Sequence, residues 1–128
     1  MREIQQQASL GIEHARLALD MFCYRIKKYI GAYIAVLGSV DAVVFTGGIG
    51  ENSAVVRKRV CAGMEPMGIA LDDERNEAAS GKVSEIQREG GPLKLLVIRT
   101  DEELEIARGT VQAIRKANSI QITDSFIS

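Results

Sequence analysis

Two short stretches of this sequence hold residues whose types and spacing could do chemistry. The first is Thr46-Gly47-Gly48-Ile49-Gly50-Glu51-Asn52-Ser53. Glycines let a backbone approach a ligand closely, and a helix N-terminus favours anions. The segment is not GxGxxG, because Ser53 stands where the third glycine would be, and no Lys-Ser/Thr pair follows to make a Walker A loop. A strand–Gly–Gly–helix turn can also serve tight packing alone. Glu51 narrows the choice: the helix dipole stabilises a carboxylate in a first turn, but that carboxylate repels a phosphate on the same helix end. The loop therefore suits ribose hydroxyls or a base edge better than a pyrophosphate, and Asn52 offers a donor and an acceptor for the same task. This chemistry points to an adenosine-type pocket.

The second stretch is Thr100-Asp101-Glu102-Glu103. Thr100-x-x-Glu103 reads as a capping box, in which Glu103 reaches back to the cap amide and Glu102 is left to face a cleft. An acidic residue in a first turn can be no more than a dipole partner. A lone carboxylate also suits Mg²⁺, which keeps several waters and takes one or two carboxylates plus substrate phosphates.

Beyond these stretches the catalytic inventory is thin. The single histidine, His14, rules out a His-based metal site built from this chain and reads as a surface or helix-packing residue. Cys23 and Cys61 form no CxxC and read as reduced core thiols. With 16 Lys+Arg against 17 Asp+Glu, the near-neutral charge lacks the basic footprint of a nucleic-acid binder. No apolar run approaches the ~18 residues of a membrane span, and the N-terminus has no secretory h-region. These features predict a cytoplasmic globular chain without nucleic-acid or membrane partners.

The elements that must position the two stretches follow from hydrophobic periodicity. Ile12, Ala15, Leu19, Phe22, Ile26, Ile30, Tyr33 and Leu37 recur at helical steps, predicting one long amphipathic helix over the N-terminal third, closed by Gly38. The basic cluster Arg25–Lys28 reads as its solvated face. Ala42–Phe45 predicts a buried strand, and Asn52 or Ser53 caps a helix that ends before Pro66, with Val56, Val60 and Met64 inward and Arg57, Lys58 and Arg59 pointing elsewhere. The polar run 72–77 reads as a loop or short helix, Val83–Ile86 as a brief strand, and Leu93–Ile98 as the second confident strand. A last helix buries Leu104, Ala107, Val111 and Ile114, and the tail 118–128 is expected to be weakly ordered. The order is an α/β pattern, and both strands deliver a polar segment at their carboxyl ends, where open α/β sheets bind ligands.

Three blocks of the sequence resemble one family. Asp41–Ser53 (DAVVFTGGIGENS) is similar to the adenosine motif of acetate and propionate kinases, Met21–Tyr33 to the helix before it, and Leu95–Thr110 to the family's closing strand and helix. The resemblance spans residues 1–117. It implies part of the C-terminal domain of the fold shared by acetate and sugar kinases, actin and heat-shock ATPases (ribonuclease H-like). It also implies reversible phosphoryl transfer from ATP to a short-chain carboxylate with Mg²⁺. Gly48, Ile49, Gly50, Glu51 and Asn52 would line the adenosine pocket, and Glu102 would be the residue linked to Mg²⁺. Arg99 stands where the family usually has proline, relaxing the start of the last helix and adding a cation beside the metal carboxylate. GGIGEN and DEEL favour the acetate/propionate branch over butyrate.

Met1 falls at an internal methionine of the family pattern. The family's catalytic arginines, its histidines at the transferring phosphoryl, its carboxylate pocket and its phosphate-contacting hairpin have no counterpart here, so no catalytic residue is assigned. The chain alone is expected to bind adenine nucleotide weakly and not to transfer phosphate. An unprotected sheet edge and unmatched apolar surface predict self-association, as a homodimer or otherwise. The alternatives are a propionate kinase and a non-catalytic nucleotide-binding or subunit-interaction module.

Overall fold

Two short, largely apolar segments and one short polar segment build the sheet. The computed structural model describes residues 1–124, with the side chains of Glu102 and of 117–124 outside the description. Along the chain lie α1 (Arg2–Ser9), α2 (Glu13–Leu37), β1 (Ala42–Phe45), α3 (Gly47–Asn52), α4 (Ala54–Cys61), a 3₁₀ turn at Glu65–Met67, α5 (Asp73–Glu77), β2 (Val83–Glu85), β3 (Lys94–Ile98) and α6 (Glu102–Asp124). The strands form one sheet in the order β1-β3-β2, with β1 parallel to β3 and β2 antiparallel to it. Register sets Val43 beside Leu95 and Phe45 beside Val97, so these pairs share the core face. Val44, on the opposite face, is 47% exposed: the sheet is covered well on one side only.

The core gathers Leu19 and Cys23 of α2, Val56, Val60 and Cys61 of α4, and Phe45, Leu95 and Val97 of the sheet, joined by Met64, Ile69 and Ile86. Burial pushes the Cys23 thiol up and the Cys61 thiol up to about 12, so both are inert protonated core groups at neutral pH.

Four expectations change. The single N-terminal helix is two helices, because Gly11 adopts φ +81°, a left-handed conformation that ends α1. On α2 the inward stripe runs through Ala15, Leu19, Cys23, Ile26, Ile30 and Ile34, while Ile12, Tyr33 and Leu37 are exposed. Steps of four from Ile26 hold the stripe to one side, and Tyr33 lies about 100° from Ile34. Gly38 closes α2 as expected, with positive φ and its N–H donated to the Ile34 carbonyl.

The helix after the glycine segment begins at its Ser53 cap, whose Oγ accepts from the Val56 N–H at 3.2 Å, and it stops at Cys61. Arg57 does not point elsewhere: it is only 2% exposed. The last expectation concerns α6. It runs through position 117 to Asp124, and residues 125–128 lie outside the described residues. Leu104, Ala107, Val111 and Ile114 are exposed rather than buried. Periodicity gives α6 an apolar side, and Leu104, Val111 and Ile114 on it are exposed.

Candidate functional site

Parallel pairing makes β1 and β3 end at the same margin of the sheet, so the segments that follow them, 46–53 and 99–103, meet there. The carboxylate of Glu51 joins them. Its Oε1 accepts from the Thr100 N–H (2.9 Å), the Thr100 hydroxyl (3.0 Å) and the Gly47 N–H (2.9 Å), with the Thr46 hydroxyl more distant at 3.5 Å. The Thr100 amide does most to hold the Glu51 carboxyl below its ordinary value of 4.5; desolvation opposes it, and the Thr100 hydroxyl, the Gly47 amide and the Thr46 hydroxyl add smaller lowering effects.

The glycine-rich segment is itself helical. Gly47 takes φ +71° to leave β1, and α3 follows at once. Glu51 satisfies the first amide of α3, and the Asn52 amide donates back to the Gly48 carbonyl at 3.0 Å. The expected capping box is not formed. Both Thr100 donors serve Glu51, α6 starts at Glu102, and Asp101 becomes the cap, its Oδ1 accepting from the Leu104 N–H at 3.0 Å. Glu103, expected to reach back to the cap, instead lines the cleft.

That cleft, of about 340 Å³, is bounded by Gly47, Gly48, Glu51, Thr100, Asp101 and Glu103. A smaller one of about 50 Å³ lies on the other flank of α3, between Gly48, Ile49, Asn52 and Ser53 and the α1 residues Met1, Arg2 and Gln5. The Ser53 hydroxyl donates to Gln5 Oε1 at 3.1 Å and secures α1 there. Of the anticipated residues, Gly48, Ile49, Glu51 and Asn52 thus border one cleft or both. Gly50 borders neither and sits against the Phe45 backbone. Met1, Arg2 and Gln5 carried no signal in the sequence, because nothing local links them to a segment more than forty residues away. Arg57 did carry one: Ser53, Arg57, Val60 and Met64 follow helical steps of four, three and four.

Among the described residues, the larger cleft is lined by hard oxygen donors and by no cation. Among the described residues, no group of three or more His, Cys, Asp or Glu is arranged to hold a metal ion. Glu51 and Asp101 already spend oxygens on backbone amides, so the described carboxylates make no self-sufficient cage. This donor chemistry fits Mg²⁺ held largely by waters and phosphate oxygens. Arg99 is exposed and does not border the cleft. Its backbone N–H, which the expected proline would lack, donates to the Lys82 carbonyl at 3.0 Å. His14 is also exposed, on α2.

Two substitutions separate the roles of the glycines. A Cβ at Gly50 would stand 3.2 Å from the Phe45 carbonyl carbon, whereas one at Gly48 meets nothing within 4 Å. Gly50→Ala is expected to cost about 1–3 kcal/mol in a denaturant titration. Gly48→Ala should leave stability unchanged or raise it, since alanine is the better helix former. Equal losses in the two would contradict this packing.

Glu51 adds a pH dependence. Its folded-state pKa is depressed, so its stabilisation is present above the ordinary carboxylate value and is lost as pH falls through the folded value. In melting curves between about pH 7 and pH 3, the gap between wild type and Glu51→Gln should close on the acid side. A gap constant over that range would refute the assignment.

Known proteins resemble this chain in sequence and in overall fold. The Acetokinase family profile matches residues 1–108. The acetate kinase of Syntrophobacter fumaroxidans is 60% identical over 117 residues, covering 91% of this chain and 28% of the relative. The crystal structure of Porphyromonas gingivalis acetate kinase superposes with a TM-score of 0.78 at 46% identity, over 88% of this chain and 28% of that one. A propionate kinase structure from Francisella tularensis gives 0.74 at 36% identity, over 83% and 27%. The chain thus spans about 28% of the length of the curated relatives it matches and has part of one domain of their fold. A profile match over most of the sequence, with GGIGEN and DEEL meeting at one sheet margin, establishes that this chain belongs to the acetokinase family.

Proposed function

We propose that residues 1–117 form part of the C-terminal nucleotide-binding domain of an acetate kinase-like phosphotransferase, catalysing ATP + acetate to ADP + acetyl phosphate reversibly. The observation that carries this reading is the meeting of α3 and the start of α6 across a polar cleft at the carboxyl ends of two parallel strands. Adenosine would lie along α3, with Gly48 keeping that helix slim at the cleft, Gly50 seating it against β1 and Ile49 giving an apolar contact. Glu51 and Asn52 would supply polar contacts to the nucleoside. Glu102 would hold Mg²⁺, which when bound supplies charge neutralisation at the phosphates.

Among the described residues, the lining of the larger cleft contains no Arg or Lys. Phosphoryl transfer depends on cations around the migrating group, so these residues support nucleotide binding and no catalytic residue is assigned among them. The short-chain carboxylate would be selected by residues outside this cleft. Acetate or propionate both fit the reading, and the likeness to the Francisella tularensis propionate kinase keeps the second in view. A cytoplasmic location accords with a metabolic kinase. Among the described residues, no helix is long and apolar enough to cross a membrane.

Titration of the 128-residue chain with ADP, followed by ¹H–¹⁵N spectra, should perturb the α3 amides with a Kd roughly in the millimolar range. Mg²⁺ should tighten this binding, and Glu102→Gln should remove the Mg²⁺ increment while leaving Mg²⁺-free binding in place. With ATP, acetate and Mg²⁺ the same chain should form no acetyl phosphate. Absence of ADP-induced shifts in α3, or robust acetyl phosphate formation, would overturn the reading.

Self-association belongs to the same proposal. β1 pairs on one side only among the described residues, and the outer face of α2 exposes Leu17, Met21, Tyr24 and Tyr29 beside an open groove of about 520 Å³. Sedimentation velocity should show concentration-dependent dimers or larger species. A monodisperse monomer up to high concentration would count against it.

A further inference from the structure

A short helix with glycine at three of its six positions has little intrinsic stability, and its last carbonyls have no partners within the helix. In α3 those carbonyls are taken up from behind. Arg57 Nη1 donates to the Gly50 carbonyl at 2.8 Å and to the Glu51 carbonyl at 3.0 Å. The rest of the guanidinium is anchored on α5: Nε donates to Asn76 Oδ1 at 2.7 Å and Nη2 to the Asn76 carbonyl at 2.8 Å. Asn76 is wholly buried and ties back to α4 through its amide and the Ala54 carbonyl, 3.0 Å apart. No carboxylate hydrogen-bonds to Arg57 among the described residues. Burial of this cation is costly for stability alone: desolvation outweighs the favourable charge of Glu77, which acts through space without a direct ion pair.

We propose that Arg57 is the positioning residue of the nucleotide site, its fork holding the carboxyl end of α3 so that Glu51 and Asn52 keep a fixed presentation to the nucleoside. This rests on the adenosine reading of α3 given above. Two features make the placement functional as well as structural. Nη1 grips the backbone of Glu51, the residue whose side chain reaches Thr100, so a shift at Arg57 moves both strand-end segments. The buried charge also sits at the negative end of the α3 dipole, on the side away from the acidic cleft.

Arg57→Lys and Asn76→Ala distinguish positioning from general stability. Lysine keeps the charge but cannot hold both α3 carbonyls and both Asn76 acceptors. Asn76→Ala removes the Nε and Ala54 bonds but leaves the Nη1 grip and the backbone acceptor at position 76. ADP affinity and amide hydrogen exchange at Asn52 and Ser53 are measured in the 128-residue chain, with β1 and β3 amides as the internal reference. In Arg57→Lys, exchange at Asn52 and Ser53 should rise about tenfold relative to β1 and β3, and ADP affinity should fall about tenfold. In Asn76→Ala the melting temperature should fall while ADP affinity stays within about twofold.

If Arg57→Lys does not fold, the Asn76→Ala pair of readouts decides alone. Unchanged affinity in Arg57→Lys, affinity falling in step with melting temperature in Asn76→Ala, or exchange rising equally at every amide, would overturn the proposal. If the wild-type chain shows no ADP-induced shifts, the adenosine reading fails while the exchange ratio still tests the grip on α3.

Discussion

One carboxylate organises this end of the molecule. Glu51 Oε1 draws the first amide of α3 and both donors of Thr100 to a single point, and so joins the segments that leave two neighbouring strands. Neither segment could hold its place alone. α3 is too short and too rich in glycine, and the chain from Arg99 to Asp101 has no regular structure of its own. Because the acceptor is ionised, each bond is stronger than a neutral one, and the donors in turn keep the group charged.

Positive charge is distributed in an uneven way around this junction. The cleft is bordered by acidic and neutral groups, whereas the nearest buried cation, Arg57, lies behind α3 and addresses only its main chain. The basic residues of α2 are equally remote: Arg25 and Lys28 stack over Tyr29 and Tyr24, and Lys27 donates to the Ala62 carbonyl at the end of α4. Arg57, Lys27, Arg25 and Lys28 thus serve the packing and surfaces of helices rather than the cleft.

Much of this was legible in the sequence, for reasons specific to each element. β1 and β3 are apolar runs bounded by turn residues, and the polar segments after them were expected to meet at one margin of the sheet, as they do. α3 was not legible as a helix because three glycines argue against one, and the bonds that override propensity come from Thr100 and Arg57. The cap of α6 was misread because Thr100 satisfies the local pattern but is claimed by Glu51, 49 residues away. The side of α6 that is apolar could be read from spacing, but whether a partner covers it is a property of the assembled chain.

Among the described residues the sheet has two unlike edges. β2, only three residues long and antiparallel, gives a short one, while β1 offers the outer backbone of a strand parallel to its neighbour. A strand added there in parallel would finish beside Thr46, across α3 from Thr100. Groups arriving by that route would approach the cleft from the β1 flank, where the chain leaves the strand through two glycines and presents no bulky side chain.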